Sequence, residues 1–251
     1  QPLVADIDGV VHATPNRQGV PAAGSLSGWQ DEVAAQAIGN PALIFAVSAA
    51  LAGPLLKWAG IETAGFNFYG PSASGKSLML RLALSCSGPP HRLMPWVAAQ
   101  TGLHHLSASC QDGLLVLDAF PRDAEAKHLK ALLAIGDDAA AGRILSDRDP
   151  DGGRRWRRIL LSGSELPLPT SLARKKRDIP AALSARIIDI PANHAAQGVI
   201  AALHGANDGL AFARRLEESM RRHHGHALAA FLERFVQDLP SIRRDIRDSI
   251  P

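Results

Sequence analysis

Between Gly70 and Ser77 the chain reads Gly-Pro-Ser-Ala-Ser-Gly-Lys-Ser, which satisfies the spacing G-x-x-x-x-G-K-[ST]. Each position has a mechanical reason. Glycines at 70 and 75 let the backbone curl so that the N–H groups across Ser72, Ala73, Ser74, Gly75, Lys76 and Ser77 can face a β-phosphate. The helix that follows offers its positive N-terminal end, Lys76 reaches the β/γ oxygens, and the Ser77 hydroxyl coordinates Mg²⁺. The chemistry implied is capture of ATP with magnesium. A companion acid stands 42 positions after Lys76 (118 − 76): Asp118 ends the apolar run Gly113-Leu-Leu-Val-Leu. There its carboxylate can hold the magnesium through water, as the matching acid does in P-loop NTPases.

Position 119 departs from that pattern. ATPases of the additional-strand type set a glutamate beside this aspartate to polarise the attacking water, and here stands Ala119. Losing a general base costs about 10²- to 10⁴-fold in rate while leaving substrate binding largely untouched. Either the base lies elsewhere, with Asp123 and Glu125 the nearby carboxylates, or Ala119 is an engineered substitution that traps bound ATP. The expectation is a chain that binds ATP with Mg²⁺ and hydrolyses it slowly. Two further positions join the candidate catalytic set. Ser162 or Ser164, in the Ser162-Gly163-Ser164 that ends another apolar run, is a short polar group able to sense the γ-phosphate or orient water. Arg186 opens the run Ile-Ile-Asp-Ile, where an arginine either pairs with a surface carboxylate or reaches a neighbouring subunit's ATP as an arginine finger.

These groups need elements to hold them. Gly65 to Tyr69 reads as a buried strand feeding the glycine loop, and Lys76 to Ser85 as a leucine-rich helix. Further strands are expected over 113–118, 158–161 and 186–190, with a helix over roughly 123–135. Asn40-Pro41 reads as an N-cap and first helical position, opening a helix to about Trp58 that Gly60 stops. A short helix is expected over 28–38. Arg143 to Arg158, with Asp149-Pro-Asp-Gly-Gly153 at its centre, reads as a β-hairpin with basic arms. From about 193 the period turns helical, with stripes at Leu210, Ala213, Leu216, Met220 and at Leu228, Phe231, Leu232, Phe235, Leu239.

The charge balance, 27 Lys+Arg against 24 Asp+Glu for a net +3, is too small by itself to imply a polyanionic partner. Placement says more. Arg143, Arg154, Arg155, Arg157 and Arg158 can make salt-sensitive phosphate contacts, and Trp156 either packs in a core or stacks on a base, the latter completing the combination used for single-stranded DNA. Arg174-Lys-Lys-Arg177 reads as a solvated loop. Two cysteines, Cys86 and Cys110, make no disulfide scaffold and read as buried thiols in a reducing, cytoplasmic setting. The longest uncharged run, Pro41 to Leu56, is shorter than the ~18–20 apolar residues of a membrane span and reads as a core helix. His223-His-Gly-His226 reads as a turn between helices rather than a metal site, because Gly225 breaks helical spacing and no acid or thiol cluster supports it. The start at Gln1, without methionine or secretory signal pattern, reads as a piece of a longer polypeptide.

Taken together, NPALIFAVSAALAGPLLKWAG, FYGPSASGKS, LLVLDAF, WRRILLSGSE and ARIIDIP, in that order, resemble a family of ATPases from bacteria and mobile elements. It is known as a domain of unknown function, is described as helicase/primase-like, and is similar to the AAA+ core of minichromosome-maintenance helicases. The match spans roughly Asn40 to Pro191. The resemblance implies a P-loop NTPase of AAA+ type, a parallel α/β sheet sandwiched by helices over 40–192 with the basic hairpin as an insertion; the residue pattern adds an extension of mixed structure over 1–39 and a C-terminal helical subdomain over 193–251. It also implies a homo-oligomeric ring, a hexamer, with ATP between subunits, Arg186 acting in trans and single-stranded DNA in a basic pore. Other domains or replication proteins of the same element are the implied partners.

The expected function is therefore an ATP-dependent DNA helicase or translocase motor serving replication of a plasmid, phage or genomic island. The alternative is a nucleotide-gated assembly or signalling module without unwinding activity. A small-molecule P-loop kinase fits less well, since no acceptor site or arginine-rich lid is evident.

Overall fold

A computed structural model describes residues 21–61, 63–97, 110, 112–136, 157–174, 181–193 and 195–249. Its centre is a five-stranded parallel sheet. In chain order the strands are β1 (Thr63–Tyr69), β2 (Met94–Pro95), β3 (Gly113–Phe120), β4 (Arg158–Ser164) and β5 (Ile187–Pro191), and in space they run β2-β3-β4-β1-β5. Every pairing is parallel, with Phe66 opposite Leu161 and Ile188, and Val116 opposite Leu161. The strand that feeds the glycine loop is thus separated from the strand that carries Asp118 by β4.

A parallel sheet covered on both faces needs strands that are apolar on both sides, which is why β3 and β4 read as near-continuous aliphatic runs. Their alternation distributes two cores. Val116, Ile159, Leu161 and Phe68 pack with α2 (Pro41–Ala52) and α4 (Lys76–Ser85), through Leu43, Met79, Leu80 and Leu82. Leu115, Leu117 and Leu160 face the other way, onto Trp96, Phe120, α5 (Ala126–Gly136) and α6 (Leu168–Ala173). A short α7 (Ala181–Ser184) precedes β5.

The first core extends past the sheet. α1 (Leu26–Glu32) contributes Trp29, whose indole Nε1 donates to Ser85 Oγ at 3.0 Å, and α8 (Gly209–Arg222) contributes Phe212, Leu216 and Met220. Asp208 caps α8 by accepting from the Ala211 amide at 2.7 Å, supplying the acceptor that a helix start requires. The Gly225 amide, in the turn 223–226, and the Leu228 amide, in the first turn of α9 (Ala227–Ser249), donate to the Ser85 and Cys86 carbonyls, satisfying the end of α4. Among the described residues no helix is long and apolar enough to cross a membrane.

Several expectations are corrected. The single helix expected to Trp58 ends at Ala52, continues as a 3₁₀ turn over Gly53–Leu55 and resumes as α3 (Leu56–Ala59). Pro54 withholds an amide there, and Gly53 lies so close to β3 that a Cβ would sit 2.7 Å from the Gly113 backbone. Asn40 makes no side-chain cap on α2. Its Oδ1 instead accepts from the amides of Ala201 and Ala202 at 2.7 and 2.8 Å, and its Nδ2 donates to the Gln36 and Ala202 carbonyls. Residues 143–156 of the expected basic hairpin, including Arg143, Arg154, Arg155 and Trp156, lie outside the described residues. Its last two arginines lie at the sheet: Arg158 opens β4 with 0% exposure, and the Arg157 Nε is ion-paired with Asp112 at 2.7 Å. Arg158 is the inward-facing first residue of β4, and Arg157 stands just before it.

Candidate nucleotide-binding site

The loop from Gly70 to Gly75 joins β1 directly to α4. Lys76 is the first helical residue, and its Nζ donates to the carbonyls of Gly70 and Pro71 at 2.8 Å each and to Ser74 Oγ at 3.1 Å. The ammonium is thereby held inside the curl it would share with phosphate oxygens. Burial lowers the Lys76 pKa, and the carboxylates of Asp118 and Glu165 oppose that shift. Gly75 sits at φ +86°, and Ala73 at φ +64°, the left-handed backbone that turns successive amides toward one side.

Across the loop, Ser77 Oγ donates to Asp118 Oδ2 at 2.5 Å. Asp118 Oδ1 accepts from the Ala119 amide at 2.8 Å. The carboxylate fits because Gly163, on the adjacent strand, has no side chain: a Cβ there would lie 2.4 Å from Asp118 Oδ1. The β3–β4 register shifts between Leu117 and Phe120, and Ala119, exposed at φ +57°, lies in that irregularity. A hydroxyl and a carboxylate side by side at a helix N-terminus are hard oxygen donors of the kind Mg²⁺ takes, so these residues fit the metal.

Loop, strand tips and α8 enclose a cavity of about 780 Å³. Residues 72–78, Arg81, Asp118 to Arg122, Ser164 and Glu165 form one wall, and Gln197, Ile200, Gly209, Leu210, Ala213 and Glu217 form the other. The two sensor candidates separate. Ser164 lines the cavity, accepting from Asn67 Nδ2 at 2.8 Å and donating to the Leu166 carbonyl at 2.7 Å. Ser162 is buried one step down the strand, where its Oγ accepts from the Trp96 indole at 2.9 Å. Arg186, immediately before edge strand β5, is outside this cavity. Asp123 and Glu125 also stand outside it, with Asp123 paired to Arg174 at 2.6 Å and Glu125 to Lys127 at 3.3 Å.

The family model described as Domain of unknown function (DUF927) matches residues 6–140, more than half of the 251 residues. The chain belongs to the DUF927 family. No curated protein matches it. Among solved structures, SCCmec type IV Cch, an active helicase, superposes with a TM-score of 0.60 at 18% identity, over 89% of this chain and 40% of that one. That likeness concerns the fold, and this DUF927 chain spans less than half the length of that protein.

Four features of the site in this DUF927 protein escape the motif reading. Glu165 lines the cavity directly after Ser164, ion-paired to Arg122 at 3.1 Å. Arg81 on α4 meets Glu217 on α8 at 2.5 Å. Gly198, at φ +72°, lies against the loop so closely that a Cβ would be 2.1 Å from the Ser74 carbonyl oxygen, which accepts from the Val199 amide at 2.9 Å. Gln197 faces the same space. Only Glu165 carries a sequence signal, as an acid one residue past a strand-end serine; the other three depend on contacts between distant segments.

Proposed function

We propose that the chain is the ATPase motor of a DNA helicase or translocase, acting as a homo-oligomeric ring with ATP between subunits. The observation that carries this reading is the Ser77–Asp118 pair beside Lys76, spanning two strands with β4 between them. Lys76 and the amides over 72–77 bind the triphosphate. Ser77 and Asp118 would hold Mg²⁺, which supplies neutralisation of phosphate charge when bound. Ser164 is the sensor that contacts the γ-phosphate. Arg186 lies outside its own chain's cavity, which supports a role on the neighbouring subunit's nucleotide, completed only in a ring. Arg143, Arg154, Arg155 and Trp156 are the DNA contacts of this reading, with Arg157 engaged by Asp112 and Arg158 buried in the sheet. The likeness in fold to an active helicase, and the resemblance to mobile-element ATPases, point the same way.

The exposed alanine at 119 favours a second reading, a nucleotide-gated assembly module in which ATP orders a ring and no strand is separated. Native mass and forked-DNA unwinding, each measured with and without Mg-ATP, decide between them. A nucleotide-stabilised ring that separates strands is the expected result. A ring without unwinding supports the second reading, and a chain that remains monomeric under every condition contradicts both.

A further inference from the structure

The tip of β4 lies between the loop strand β1 and the acid strand β3. Whatever follows Ser164 is therefore positioned between the phosphate cradle and the Asp118–Ala119 bulge, and Phe120, the residue after the bulge, pairs with Ser164 itself. That next residue is Glu165. It lines the cavity with Lys76 and Asp118, its charge is felt by Lys76, and its side chain is 44% exposed, so water reaches it. Arg122, from the segment just past β3, holds its Oε2 at 3.1 Å and limits where the carboxylate can swing. Ala119 offers no side-chain proton acceptor, and Asp123 and Glu125 stand outside the cavity.

We infer that Glu165 is the general base of nucleoside triphosphate hydrolysis in this chain, doing from the tip of β4 what a carboxylate at 119 would do from the tip of β3. This rests on the nucleotide-binding reading above. Glu165 accepts a proton from the attacking water as the water oxygen bonds to the γ-phosphorus. The bond from that phosphorus to the β,γ-bridging oxygen breaks, the bridging oxygen leaves with the nucleoside diphosphate, and the proton passes from Glu165 to inorganic phosphate or solvent. No oxidant or second co-substrate is needed. Slow hydrolysis, expected from Ala119 alone, is then not expected.

The test measures Mg-ATP affinity by calorimetry and steady-state phosphate release, with and without single-stranded DNA, on the wild-type chain, Glu165→Gln, Asp123→Asn, Glu125→Gln and the double variant Glu165→Gln/Ala119→Glu. Glu165→Gln should keep the wild-type Kd and lose about 10²- to 10⁴-fold in kcat, the span general-base removal commonly costs. Asp123→Asn and Glu125→Gln should turn over as wild type, and the double variant should regain part of the lost rate. Retained affinity shows that Glu165→Gln is folded. Wild-type ATP binding with no hydrolysis overturns the inference, as does turnover in Glu165→Gln within about threefold of wild type, well short of the general-base range. Failure of the wild-type chain to bind Mg-ATP instead overturns the nucleotide reading on which the inference stands.

Discussion

The two walls of the cavity are built by different means. The sheet wall consists of the loop after β1 and the tips of β3 and β4, each set in place by parallel pairing with its neighbour. The helical wall, Gln197 to Glu217, is set by contacts between residues far apart in the chain: Gly198 on Ser74, Asn40 on Ala201 and Ala202, Glu217 on Arg81. A ligand in the cavity would touch both. The first wall presents the phosphate chemistry of Lys76, Ser77 and Asp118, while the second is mainly apolar where it meets the space, with Ile200, Leu210 and Ala213 flanked by Gln197 and Glu217. The sheet wall thus carries the charged and hydroxyl groups of the proposed site, and the helical wall supplies mainly apolar surface opposite them.

The sharpest way to break the second wall without touching the first is at Gly198. An alanine there meets the Ser74 carbonyl oxygen at 2.1 Å in a left-handed conformation that alone costs an L-residue about 1–2 kcal/mol. Gly198→Ala should lower stability by more than about 2 kcal/mol and weaken ATP binding, because the loop must shift to accommodate it. Chemical denaturation and nucleotide titration read the two effects.

Asn40→Ala comes next. It removes from the buried Asn40 the acceptor of the Ala201 and Ala202 amides, which stand at an exposed and a half-buried residue where water can partly replace it, so each lost bond costs about 0.5–1.5 kcal/mol. Its stability should fall by that order while the Lys76–loop hydrogen bonds, on the other wall, persist. A shift in denaturation midpoint much larger than any change in ATP affinity is the expected signature.

On the sheet wall, Ala119→Gly should stabilise the chain by up to about 1 kcal/mol, since glycine adopts φ +57° without the steric cost alanine carries. The smallest effect belongs to the bridge between the walls. Arg81 and Glu217 are each 39% exposed, so breaking the pair should change stability by no more than about 1 kcal/mol. Thermal melts of Glu217→Ala at low and high salt check this, with any difference shrinking as salt rises.

The same contrast explains what could be read from the chain before its fold. Lys76 to Ser85 forms the expected helix, and the strand before it begins only two residues earlier than its expected start at Gly65, because strand, glycine loop and helix are specified by residues adjacent in sequence. Asp118 meets Ser77 at the register irregularity of β3, although the strand runs two residues past its expected end to Phe120. Local signals failed where a distant segment competed for the same group. The side-chain oxygen of Asn40, a good cap by type, is taken by Ala201 and Ala202, and the apolar run from Pro41 breaks at Gly53 because Gly113 packs against it. Arg158 looked like part of a basic surface, yet pairing opposite Thr63 and Gly113 turns it into the sheet. Ser162 and Ser164 are equivalent by composition, and only the fold separates them, with Ser164 lining the cavity and Ser162 buried against the Trp96 indole.

The central claim is that the amides between Gly70 and Ser77, with Lys76 and the Ser77–Asp118 pair, form a triphosphate cradle. Isothermal titration of Mg-ATP into the wild-type chain and into Lys76→Ala tests it most directly. Saturable binding at one site per chain is predicted, weakened on the order of 100-fold in Lys76→Ala, since a charged hydrogen bond contributes about 1.5–3 kcal/mol and Lys76 would make more than one. Equal affinity in the two proteins, or no heat of binding to the folded wild type, would contradict it.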